Sequence, residues 1–124
     1  MDDDVIPVFG DGRILRDFLY VEDLVECLLT VALTDAAYGE VFNVGAGVPV
    51  SFYELAKTIA RVVGKGRVDF TEFTKERKEV EPGDYYTDIS KIKRVTGWQP
   101  RTPLEAGIAK TVEFYRLHGK EYWT

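Results

Sequence analysis

Apolar residues recur along the chain in short runs whose period changes several times, and no single run is long. Val5–Phe9 is a short apolar segment halted by the turn residues Gly10, Asp11 and Gly12, and residues 18–21 form a second β-prone run. Together they predict a hairpin or a loop-linked pair of strands. From Val21 the apolar positions are 21, 24, 25, 28, 29 and 32, the one-face spacing of a helix. Glu22 and Asp23 fall in its first turn, where the macrodipole favours acidic groups. The pattern predicts a helix of about three to four turns. Tyr38 and Gly39 close that stretch, and residues 40–44 read as a short buried strand before a turn at Gly45, Ala46 and Gly47.

Ser51 and Glu54 form a capping box, in which the serine hydroxyl accepts from the N–H of Glu54 and the glutamate reaches back to the N–H of Ser51. A helix should start there, with Phe52, Leu55, Ala56, Ile59 and Val63 on its apolar face and Gly64 as its left-handed stop. Residues 68–73 read as one more strand. Residues 75–81 are charged and without periodicity, which predicts a solvated loop of the length that often carries function. Asp88 can cap a short helix bearing Ile89, Ile92 and Val95, closed by Gly97 and followed by Trp98. Thr102, Pro103 and Glu105 predict the start of a last helix reaching about Leu117. Neither a repeat nor a linker interrupts the series, so residues 1–124 are expected to form a single domain.

With 124 residues, 45% of them hydrophobic, the chain has room for one modest core and not for a cofactor domain plus a substrate domain. A net charge of −5 repels nucleic-acid phosphates over most of the surface, so any phosphate site must be a local cluster of Arg or Lys. Cys27 is the single cysteine, which leaves no partner for a disulfide or a Cys-rich metal site and suits a reducing compartment. No stretch reaches membrane-spanning length, and the acidic start at residues 1–4 is unlike a secretory signal, so the cytoplasm is the default location.

Three motifs carry the candidate chemistry. Residues 13–24 read Arg-Ile-Leu-Arg-Asp-Phe-Leu-Tyr-Val-Glu-Asp-Leu, residues 41–47 read Val-Phe-Asn-Val-Gly-Ala-Gly, and residues 82–84 read Pro-Gly-Asp. Their order and spacing resemble the C-terminal part of the nucleotide-sugar epimerases and dehydratases, the extended short-chain dehydrogenase/reductase branch. UDP-glucose 4-epimerase-type enzymes are the members it resembles most. The resemblance runs from about Val5 to Tyr122 and includes a closing signature over residues 88–107 that caps, a turn and a buried tryptophan explain as architecture. It implies an α/β fold, mostly helical with a few short strands, without the N-terminal Rossmann domain.

The same resemblance assigns residues. Arg16 would contact the diphosphate of a nucleotide sugar, and a guanidinium suits that group because its planar fork matches phosphate oxygens. Asp17 would be structural, orienting Arg16 or bonding backbone. Pro7, Val8, Phe9 and Gly10 match the segment whose backbone and aromatic ring border the nucleobase, although Phe9 reads equally well as an ordinary core residue. Asp84 would accept from the ribose hydroxyls, since a carboxylate can take both at once. Many relatives carry an arginine just before the Pro-Gly-Asp run as a second diphosphate ligand; here Val80 and Glu81 stand there, and Arg77 or Lys78 would reach in instead.

Two matches are read as accidental. Tyr53 and Lys57 fit the Tyr-x-x-x-Lys spacing of the superfamily's catalytic pair but lie on the capped helix, after the position that pair takes in the family. Gly45 and Gly47 lack the third glycine and the acidic ribose reader of a dinucleotide fingerprint. His118 has no second histidine or paired cysteine for a metal site, and the tail at Tyr122 and Trp123 is either a docking patch or disorder. No catalytic and no cofactor-binding residue is therefore assigned to this chain. NAD is expected in a parent enzyme that supplies the Rossmann domain, the chain alone is expected to be inactive, and its ligand is a nucleoside diphosphate sugar. Apolar surface on the helix near residues 22–34 would be left bare without that domain, which predicts a homodimer or other self-association.

Overall fold

A computed structural model describes residues 5–122; the acidic start at residues 1–4 and Trp123 lie outside them. In chain order its elements are β1 (Val5–Phe9), β2 (Leu15–Asp17), α1 (Val21–Ala32), a 3-10 turn (Asp35–Ala37), β3 (Pro49–Ser51), α2 (Phe52–Val63), β4 (Arg67–Thr71), α3 (Lys75–Val80), α4 (Ser90–Thr96) and α5 (Leu104–Tyr122). Half of the chain is helical, and the strands are few and short. The elements fall into two compact units, one made of the described residues up to Ile14, Ser51–Gly83 and those from Pro103 on, the other of Leu15–Val50 and Asp84–Thr102.

The first unit is built around α2. Ser51 Oγ accepts from the N–H of Glu54 at 3.1 Å, and Gly64 ends the helix at φ 80° with its N–H on the Ala60 carbonyl. Both ends are thus set by local side-chain chemistry. The return half of the capping box is replaced by an ion pair from Glu54 Oε1 to Lys57 Nζ at 3.4 Å. The turn after β1 is fixed to this helix start, because the Phe52 and Tyr53 N–H groups donate to the carbonyls of Ile14 and Gly12. Helix α2 packs against β1, β4 and α5. Arg61 and Glu105 tie α2 to α5 at 3.1 Å.

Strand β1 does not form a hairpin. It runs parallel to β4, with Val8 opposite Phe70, while β2 pairs with β3. A parallel partner needs a crossover, and here α2 lies between the two strands in sequence. Residues 18–20 join no ladder, and the strand in this region is instead the preceding Leu15–Asp17. Residues 75–81 are not a loop. Thr74 caps α3, its Oγ1 accepting from the Arg77 N–H at 3.3 Å, although no residue of that helix is buried.

The core of the second unit is Cys27, Ile92 and Trp98, with Leu19, Val31, Phe42, Val44 and Ile89 against it. Helix α1 buries Asp23 and Cys27 and turns Val25, Leu28 and Leu29 outward, each more than half exposed at 51%, 60% and 61%. The apolar stripe read from the sequence is therefore largely the exposed face of α1. Asp23 is buried and accepts from the N–H groups of Arg101 and Thr102 and from the Thr102 hydroxyl at 3.0 Å. That hydroxyl is directed to Asp23, while α5 runs on past Leu117 to Tyr122.

Residues 40–44 alternate as a strand would, with Val41 out and Phe42 and Val44 on the core, but they join no ladder. Lys91 holds them instead. Its Nζ pairs with Glu40 at 2.8 Å, donates to the Val41 carbonyl at 2.9 Å and lies over the Phe42 ring.

Candidate functional site

Strand β2 brings Arg16 and Asp17 out on consecutive positions, and the chain returns to it at residues 84–87. The Leu15 N–H donates to Asp84 Oδ1 at 2.9 Å, across 69 residues of sequence. The Leu15 carbonyl accepts from the Tyr85 N–H at 3.0 Å and from Arg16 Nη1 at 2.8 Å. The backbone of one residue, Leu15, therefore bonds both the guanidinium expected at the diphosphate, through its carbonyl, and the carboxylate expected at the ribose, through its N–H. Arg16 is half-buried and Asp84 exposed.

Asp17 faces the other way and is structural, as its position beside Arg16 implied. Its Oδ1 accepts from Ala46 N–H at 2.7 Å, and its Oδ2 from the N–H groups of Gly47 and Thr87, both at 3.1 Å. The turn must approach closely for this, and Gly45 permits it: a Cβ there would lie 2.6 Å from the Thr87 side chain and collide with the Asp17 carboxylate. The amides of this turn are directed to a carboxylate, so the Gly-Ala-Gly run does not fit a dinucleotide phosphate.

In the first unit, Val8, Phe9 and Arg77 line one cavity of about 420 Å³. Its walls are β1, the apolar face of α2 at Phe52, Leu55, Ala56 and Ile59, and the segment from Phe73 to Glu81. Val8 is buried, and Phe9 is half-buried. The Phe9 ring meets Phe73 at 5.6 Å between centroids, and the Arg77 guanidinium carbon lies 4.3 Å from its centre. Gly10 makes room for Phe73, since a Cβ there would sit 2.7 Å from that ring, and its φ of +65° suits glycine. The sequence reading left out Thr74 and Phe73, the residues that place Arg77 and back Phe9. A threonine before a run of helix formers was the available signal.

Tyr53 and Lys57 pack as ordinary surface groups. The Lys57 ammonium lies over the Tyr53 ring face at 5.1 Å, and that ring stacks on Phe70 at 5.5 Å. His118 Nδ1 pairs with Glu121 at 3.5 Å, and no group of metal-ligating side chains occurs among the described residues. Among the same residues no helix is long and apolar enough to cross a membrane.

Residues 2–111 match the GDP-mannose 4,6 dehydratase family, and the chain belongs to it, corresponding to the C-terminal portion of an NAD-dependent extended short-chain dehydrogenase/reductase-type enzyme. It is 34% identical over 128 residues to the dTDP-glucose 4,6-dehydratase of Escherichia coli, covering 96% of this chain and 35% of that protein. It is 41% identical over 112 residues to the UDP-glucose 4-epimerase of Mycolicibacterium smegmatis, covering 88% of this chain and 34% of that one. The structure of UDP-glucose 4-epimerase with UDP-glucose from Thermotoga maritima superimposes with a TM-score of 0.78 at 31% identity, over 93% of this chain and 36% of that chain. The chain thus spans about a third of the length of these relatives.

Proposed function

We propose that this chain is the nucleotide-sugar-binding portion of an NAD-dependent sugar-nucleotide epimerase, with a UDP-sugar as its ligand. The observation that supports the reading is that Arg16 Nη1 and Asp84 Oδ1 both bond the backbone of Leu15, as a diphosphate ligand and a diol acceptor of one nucleotide would require. Arg16 takes the diphosphate, Asp84 the ribose, and Val8 and Phe9 border the base. The sugar-transforming chemistry, a reversible oxidation by NAD, belongs to residues outside this chain, and NAD is held there. The solved structure of dTDP-glucose 4,6-dehydratase from Bacillus anthracis, 28% identical to this chain, is a complex with NAD, which supports an NAD-dependent parent enzyme. The exposed face of α1 faces the Rossmann domain in the parent enzyme and mediates self-association in its absence.

A second reading, a 4,6-dehydratase portion, is favoured by the 34% identity to the Escherichia coli dTDP-glucose 4,6-dehydratase over 96% of the chain. Calorimetric titration of UDP and UDP-glucose into the wild-type chain and its Arg16→Ala variant tests the binding role. Saturable binding that Arg16→Ala abolishes supports it, and equal weak heats from both proteins remove it. In a polypeptide that carries the cofactor domain, interconversion of UDP-glucose and UDP-galactose selects the epimerase, and a 4-keto-6-deoxy product selects the dehydratase.

A further inference from the structure

The rim of the first unit's cavity carries a feature that a phosphate-binding role for Arg77 does not explain. The guanidinium lies over the Phe9 ring, its central carbon 4.3 Å from the ring centre, in a mainly apolar cavity of about 420 Å³ that Glu81 also lines. Its place is fixed from two sides. The Thr74 hydroxyl accepts from the Arg77 N–H itself, at the third residue of α3, so the cap that starts the helix also pins this residue. Phe73, one position earlier, sits against Phe9 and keeps that ring in place.

We infer that Arg77 is a base-stacking residue, which extends a planar platform from Phe9 for the nucleobase and takes no diphosphate oxygen. The inference rests on the nucleotide-sugar reading above. Three observations favour a base over a phosphate. A guanidinium is planar, delocalised and weakly hydrated, so it stacks on π-faces as a lysine ammonium does not. The cavity walls are aliphatic and aromatic, which suits the faces of a heterocycle and would strip water from a diphosphate without replacing it. Glu81 lies on the same rim, and its carboxylate repels phosphate.

The test compares nucleosides with nucleoside diphosphates. Uridine, thymidine and guanosine, each paired with its diphosphate, are titrated into the ¹⁵N-labelled chain and its Arg77→Ala, Arg77→Lys and Arg16→Ala variants. Binding is read from amide shifts, which also report that each variant is folded. The cognate nucleoside and its diphosphate should both weaken by about tenfold in Arg77→Ala. Arg77→Lys should fail to restore either, because it keeps the charge and loses the plane. In the free protein, the Arg77 Nε–H resonance should carry a ring-current shift that Phe9→Leu removes. Loss confined to the diphosphate, with rescue by lysine, would overturn the inference and make Arg77 a phosphate ligand. Diphosphate binding that depends on Arg16 but ignores every Arg77 substitution would overturn it alone. No saturable binding of any of the three diphosphates to the wild-type chain would overturn the nucleotide-sugar reading together with it.

Discussion

Replacing Asp17 by asparagine separates the two halves of the Arg-Asp pair. The carboxylate accepts three backbone N–H bonds, from Ala46 on one oxygen and from Gly47 and Thr87 on the other. An asparagine keeps one oxygen and presents an NH₂ in place of the second. In its better orientation the oxygen serves Gly47 and Thr87 while the NH₂ confronts the Ala46 donor. An unsatisfied buried donor costs about 1–3 kcal/mol, and the charge assistance of the remaining two bonds is lost as well. Because the site is half-buried, the lower part of that range, about 1 kcal/mol, applies to the orphaned donor, and with the lost charge assistance the expected total is about 2 kcal/mol. In urea, followed by the fluorescence of the buried Trp98, the midpoint should fall by roughly 1 M with no change in slope. Arg16→Ala should instead stay within about 0.5 kcal/mol of wild type. The carbonyl that Arg16 leaves is still held by the Tyr85 N–H. An Asp17→Asn midpoint indistinguishable from wild type, or an Arg16→Ala loss as large, would refute the division of the pair into a structural and a binding member.

Three other outcomes follow from the same structure. Cys27 is fully buried, and burial pushes its thiol above the ordinary cysteine range. Iodoacetamide at pH 8 should leave it unlabelled in the native chain and modify it fully in denaturant; native labelling at the rate of a free thiol would contradict this. Glu40 is held below the usual glutamate range by its hydrogen bond from Lys91, and Asp88 below the usual aspartate range by the Ser90 backbone N–H. Both are depressed on folding, so their contribution is present above the ordinary carboxylate range and is lost as pH falls through their lowered values. Urea midpoints should therefore drop below about pH 4, less steeply in a Glu40→Gln, Asp88→Asn double variant; equal slopes would count against it. The uncovered α1 face should drive concentration-dependent association in sedimentation velocity, reduced in Leu28→Glu, whereas a monomer at every concentration would remove that reading.

Features set by local chemistry were legible in the sequence. The Ser51 cap and the left-handed stops at Gly64 and Gly97 fall where expected, because each depends on a few adjacent residues. Strand partners were not, since the β1–β4 ladder joins Val5 to Arg67 through a pairing that no local period encodes. For residues 40–44 the alternation correctly gave which side chains face the core. It could not reveal that Lys91, rather than a neighbouring strand, holds the segment. The α3 helix was missed because its cap lacks the reciprocal glutamate: Arg77 occupies that third position. Arg16 and Asp84, singled out by their motifs, both bond the Leu15 backbone, a link across 69 residues that neither motif encodes. The placement of Arg77 over Phe9 needed the structure, because it depends on that unrecognised cap.

The most direct measurement of the central claim is an amide-shift map of the wild-type chain titrated with UDP. The account predicts saturable shifts at Phe9, Gly10, Arg16, Arg77 and Asp84, with the α1 face unmoved. Shifts confined to the α1 face, or none at millimolar UDP, would contradict it.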